Sequence, residues 1–159
     1  MDNRDRLLSV AVLAYATSSL FHHIHNAEFL GEYPNMPVWL SRAWVYAAWC
    51  SVTAVGASGV ALLWKRRRVL GLWVLGAYGG FGLYGLAHYV VAPVSSHTVA
   101  ANISIWLEVV SALLLLGLVA TSIYGEWTMV TSAARPDEQL QPMPTSSSRI
   151  GGLRVRVRG

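Results

Sequence analysis

Long apolar runs separated by short polar stretches dominate this chain. A membrane-spanning helix needs about 20 mainly apolar residues, and four segments reach that length, at 7–29, 38–64, 69–91 and 99–124. The first is too long for a signal-peptide core. It runs into His22-His23-Ile24-His25-Asn26 instead of a small-residue cleavage site, which predicts a retained anchor. Prolines in the connecting stretches 30–37 and 92–98 stop the adjoining helices, and such short connections make consecutive helices antiparallel neighbours. The pattern therefore predicts an all-α fold, an integral membrane four-helix up-down bundle.

Glycines are concentrated in the third segment, at Gly71, Gly76, Gly79, Gly80, Gly82 and Gly85, with Gly56 and Gly59 in the second. The Gly76-to-Gly80 spacing predicts a helix face on which a neighbouring backbone approaches closely. Packing explains these glycines better than cofactor contact.

Composition sharpens the picture: 54% of the 159 residues are apolar and only 13% charged, about half the charged share of a soluble domain. A soluble surface cannot be built from so few charges. The formal net charge of +4 sits mainly in one loop and a tail with no aromatic-interleaved basic face, which argues against nucleic acid and for membrane lipid as the partner. Cys50 is the sole cysteine, so an internal disulfide and a Cys-rich metal site are excluded. Arg4, Arg6, Lys65-Arg66-Arg67-Arg68 and the residues from Arg135 onward fall on one side of the predicted spans, against Arg42 alone on the other. The positive-inside rule makes that side cytoplasmic. Residues 1–6 are then a cytoplasmic N-terminus and both ends lie inside. The interval 133–159, rich in Pro, Ser, Thr and Gly, reads as a disordered cytoplasmic tail. A preference for Arg over Lys and the absence of sorting motifs point to a bacterial inner membrane.

Every histidine falls toward the outward half of these spans: His22, His23 and His25 near the end of the first, His88 near the end of the third, and His97 in the second outward loop. Glu108 is the sole acidic residue deep in a span, at a depth similar to that of His22. An ionised carboxylate there costs about 2.5 to 3.5 kcal/mol on insertion scales, so it must be paired, protonated or wetted. Imidazole and carboxylate together can ligate a metal, exchange protons or simply satisfy one another. Glu108 and His22 are the candidate acid and base. The candidate metal ligands are His22, His25, Glu28, His88 and Glu108, and Tyr84, His97 and Asn102 are candidate contacts to a bound group. His23, about 100° around the helix from His22, is expected to face elsewhere.

The stretch His25-Asn26-Ala27-Glu28-Phe29, closing a first hydrophobic helix and followed by Gly31 and Pro34, resembles the signature of small bacterial membrane proteins with a His-x-x-Glu-Glu motif. The resemblance implies a multi-helix membrane protein that binds metal, through His25 and Glu28 here. Phe29 stands where the motif has its second glutamate.

The leading expectation is a membrane protein holding a divalent transition metal (zinc, iron or copper), acting on an apolar or lipid substrate. The alternatives are metal-free acid and base catalysis on a lipid, an electron-transfer unit with haem held by His22 or His25 and His88, and an accessory subunit whose polar groups meet a membrane-protein partner or a second copy.

Overall fold

The computed structural model describes residues 3–133, and every regular element among them is helical. Helix α1 spans Asn3–Glu28, α2 Arg42–Trp64, α3 Arg68–Gly82, α4 Ala87–Val91 and α5 Val99–Ala133. A tight 3-10 turn at Leu83–Leu86 joins α3 to α4, so 68–91 forms one helical rod. With α1, α2 and α5 this gives four helices long and apolar enough to cross a membrane.

The helix ends differ from the apolar windows for local reasons. Pro37 and Ser41 delay α2, whose first turn is capped by the Ser41 hydroxyl accepting from the Trp44 backbone N–H at 3.4 Å. Helix α5 continues well past 124 because no proline interrupts it before Pro136. Glu126, on this extension, accepts from Arg68 Nε at 2.6 Å, and Asp5 of α1 accepts from Arg68 Nη1 at 2.7 Å. One guanidinium thus joins α1, α3 and α5 at their charged end. It is about one-third exposed, so each pair contributes no more than about 1 kcal/mol. The expected disordered tail lies outside the described residues, apart from Ala133, which closes α5.

The core lies where α1, α3 and α5 meet, with Leu72, Leu75 and Tyr78 of α3 buried against a seam between α1 and α5. Ala101, Ile105, Glu108, Ala112, Leu115 and Val119 are buried on α5 at alternating spacings of four and three, opposite Leu8, Ala11, Tyr15, Ser19 and His22 of α1. This is the repeat with which two helices interlock side chains along a shared stripe. Leu107, Val110, Leu113 and Leu114 on the opposite face of α5 are exposed, an apolar outer surface that suits lipid and not water.

The glycines pack the bundle, though not at the expected pair. Gly80 has nothing within 4 Å of where a side chain would begin, and Gly76 meets only Val119, at 3.5 Å. The tight contacts are at Gly82, against Ala112 and Tyr15, at Gly56 against the Tyr78 ring, at Gly59 against Leu75, and at Gly71 against Leu63. Those involving α2 all lie in its second half. In its first half only Val45 is buried, and this end is tied to α1, where Glu28 pairs with Arg42 and accepts from Tyr46, while the other end is clamped to α3.

The loop between α2 and α3 turns through Arg66, whose φ of 60° places a side-chain-bearing residue in the left-handed region. Arg66 and Arg67 N–H groups close the helix end on the carbonyls of Leu63 and Leu62. Glycine is the residue that occupies this position without strain. Arg66→Gly is therefore expected to stabilise the fold by about 1 kcal/mol in chemical unfolding in detergent.

Candidate functional site

The site is assembled where α1 ends, α4 ends and α5 begins. Ser104 and Glu108, four residues apart, share the inward face of α5, and His22 of α1 packs between them. His22 Nδ1 lies 3.1 Å from Ser104 Oγ, and Nε2 lies 3.6 Å from Glu108 Oε2. The Ser104 hydroxyl donates to the Ala101 carbonyl at 2.8 Å, which leaves its oxygen to accept from His22 Nδ1–H. In neutral His22 the Nε2 lone pair then faces the Glu108 carboxyl.

His23 does not face elsewhere. Its Nδ1 lies 3.8 Å from Glu108 Oε1 and 2.9 Å from the Ser19 carbonyl, an acceptor only, so Nδ1 carries the hydrogen and Nε2 is free. His97 repeats the pattern from its loop: Nδ1 donates to the Pro93 carbonyl at 3.2 Å, and Nε2 is buried without a hydrogen-bond partner in the protein. Three imidazoles thus have one nitrogen anchored and the other left with a lone pair.

His88, on α4, connects these groups. Its ring centroid is 5.4 Å from that of His22 and 6.1 Å from that of His97. Its Nε2 accepts from Asn26 Nδ2 at 3.5 Å, leaving His88 Nδ1 and Asn26 Oδ1 buried and unpartnered. Tyr33, from the loop after α1, sits among four histidines, with ring centroids at 4.9 Å from His88, 5.8 Å from His25, 6.2 Å from His97 and 6.4 Å from His22. Burial pushes the Tyr33 hydroxyl above its ordinary pKa, so it keeps its proton, and it hydrogen-bonds with His25 Nδ1 at 2.9 Å.

The sequence-derived candidates separate into groups. His22, His88 and Glu108 converge. His25 joins only at the edge, through Tyr33 and a ring contact with Phe29. Glu28 turns away, pairing with Arg42 at 3.1 Å and accepting from Tyr46 at 2.9 Å. Asn102 is consumed by loop contacts, accepting from Tyr89 and donating to the carbonyls of Val94 and His97. Tyr84 is largely exposed at a cavity rim. Among the described residues, no three His, Cys, Asp or Glu side chains are gathered closely enough to hold a metal as they stand.

Sequence reasoning missed Ser19, Ser104, Tyr33 and the inward direction of His23. For the serines a signal was present: Ser104 precedes Glu108 by one helical turn, and Ser19 precedes both His22 and His23 by about one. For Tyr33 there was none, because its place depends on how the loop folds back.

A cavity of about 430 Å³ reaches Glu108, His22, His23, Asn26 and His88, walled by Met36, Val45, Val52 and Phe81 among others. Gly85 borders it beside the carboxylate, where a Cβ would lie in ordinary contact, 3.4 Å from Glu108 Oε2. No protein-family model, curated protein or solved structure matches the chain.

Proposed function

We propose that this protein is a metal-binding integral membrane protein of a bacterial inner membrane, an up-down bundle with both termini cytoplasmic and its site in the outward half. Its donors are His22 Nε2 and Glu108, with His23 and His88 completing the set for a zinc, iron or copper ion. The observation that supports this is the anchoring of Nδ1–H on His22 and His23. Metal-ligating histidines use their second nitrogen in this way, which orients the ring and holds the lone pair on the first. Completing the site requires His88 to release Asn26 Nδ2, which its Nε2 lone pair now accepts from, and to turn toward Glu108 across the cavity that both residues line. The pair given by the His-x-x-Glu-Glu resemblance, His25 and Glu28, stays outside this donor set.

Elemental analysis of the detergent-purified full chain tests the proposal. Near-stoichiometric transition metal is expected in the wild type and loss of it in His22→Gln at matched folded yield. Ser104→Ala removes only the anchor and should weaken metal binding by about 10- to 100-fold without abolishing it. Metal-free wild-type protein after growth and purification with added zinc, iron and copper would refute the reading.

The second reading is acid and base chemistry without metal. It is favoured by the placing of His22 Nε2 3.6 Å from Glu108 Oε2 beside a cavity with apolar walls, since an imidazole and a carboxyl at one site can act as base and acid on a bound lipid. Activity that survives stringent chelation would select it.

A further inference from the structure

Helices α1 and α2 are tied at one end, where Arg42 pairs with Glu28, and part toward the other. In that second half the glycines of α2 draw it onto α3, Gly56 against Tyr78 and Gly59 against Leu75, and neither meets α1. A groove of about 420 Å³ results. Leu8, Val12 and Leu13 form its α1 wall, on one helix face, and Val60, Leu63 and Trp64 its α2 wall. Leu13 and Trp64 are exposed, so the groove opens on the apolar outer surface that meets lipid. Its size is near the lower end of the range for small-molecule pockets and suits one acyl chain.

The charges at its end specify the head group. Lys65, Arg66 and Arg67 lie between Trp64 and Arg68, both of which line the groove. All three are exposed and, among the described residues, pair with no carboxylate. Asp5, the acidic residue of the groove, does not repel an anion there, because Arg68 Nη1 holds it at 2.7 Å. Arg66 adds an independent observation. Its φ of 60° is a conformation that strains an arginine and not a glycine. A charged side chain held at a strained turn points to a use for its charge. Three unpaired cations at head-group level, beside a groove for a hydrocarbon tail, complement a lipid that carries a negative charge. A zwitterionic lipid fits the same groove but gains less from the cations.

We infer that the groove between α1 and the second half of α2 binds an anionic phospholipid, one acyl chain along Val12, Val60 and Leu63 and the phosphate at Lys65, Arg66 and Arg67. The inference rests on the membrane setting proposed above, but not on a bound metal.

The test uses the full chain in phosphatidylcholine nanodiscs that contain phosphatidylglycerol brominated on its acyl chains. Bromine quenches Trp64, whose share is the quenching lost in Trp64→Phe. Stronger quenching than by brominated phosphatidylcholine at the same mole fraction is expected, saturating with mole fraction and weakening in high salt. Arg66→Gly should lower the relative affinity for the anionic lipid roughly fivefold, the effect of one basic residue at an anionic surface, although the same variant is the more stable protein in detergent. Arg66→Lys should keep the preference. Ser9→Phe fills the groove from an exposed position on α1, which the fold tolerates, and should leave Trp64 with the equal quenching of ordinary surrounding lipid. Four results overturn the inference: equal quenching of the wild type by the two brominated lipids, undiminished preference in Arg66→Gly, full preference in Ser9→Phe, or reversal by soluble glycerol 3-phosphate, which would assign the cations to a free phosphate. No quenching by either lipid would overturn the membrane setting along with it, whereas equal quenching by both leaves that setting intact.

Discussion

Glu108→Gln is expected to abolish metal binding while leaving the metal-free bundle at least as stable as the wild type. The two effects have one cause. Glu108 is 3% exposed on the seam between α1 and α5, where a carboxylate costs about 2.5 to 3.5 kcal/mol on insertion scales unless a partner compensates. The protein's own compensation is incomplete: both imidazole nitrogens near its oxygens stand beyond hydrogen-bond distance, at 3.6 and 3.8 Å. Glutamine fills nearly the same volume and carries no charge, but its amide cannot replace a carboxylate in holding a divalent ion. If Glu108 served only packing, the opposite pattern would appear, with lower stability and unchanged ligand content. Glu108→Ala is the companion variant, expected to lose the metal and also to lose stability through the cavity it opens. Melting temperature and metal content, measured on the same preparations, decide between the two roles. A destabilised Glu108→Gln that still carries metal would remove this residue from the site.

How far the sequence could be read follows from which forces act locally. Length and hydropathy alone locate the four long helices, because the requirement to satisfy backbone groups within a span leaves little choice. The meeting of His22 with Glu108 was also legible, since equal depth on neighbouring helices brings two residues together with few alternatives. Rotation about a helix axis was not. His23 lies about 100° from His22, yet both reach Glu108, one at each carboxylate oxygen, because Glu108 projects between them. Glu28 shows the reverse case. On spacing it shares a face with His25, but Arg42 at the start of α2 offers it a guanidinium, and a charge-assisted pair at 3.1 Å takes the carboxylate. Among the glycines, the Gly76-to-Gly80 spacing matched a packing motif that the fold leaves unused, while Gly82, with no such spacing to mark it, makes the closest approach. Only the partner's position distinguishes them.

Gly82→Val is expected to disrupt the bundle, and Gly80→Ala, two residues away, to leave it intact or more stable. A Cβ at Gly82 would lie 2.5 Å from Ala112 Cβ and 2.6 Å from Tyr15 Cε2, against about 3.5 to 4.0 Å for an ordinary carbon contact. Neither neighbour can yield easily. Ala112 has no rotatable side chain, and the Tyr15 ring is fully buried against Tyr78, with centroids 4.5 Å apart. Overpacking of this kind costs about 1 to 3 kcal/mol where neighbours adjust, and more where they do not. Gly80→Ala meets nothing within 4 Å and gains helix propensity of about 1 kcal/mol. The folded fraction in mild detergent should therefore fall sharply for the first variant and hold for the second. Restoring space in the double variant Gly82→Ala with Ala112→Gly should recover part of what Gly82→Ala alone loses. Equal behaviour of Gly80 and Gly82 variants would mean that α3 and α5 do not pack as described. The consequence extends to the site, because the rod that carries Gly82 also carries His88. Pushing α3 away from α5 moves His88 from His22 and Glu108, so ligand binding should fall together with packing at Gly82 and stay unchanged at Gly80.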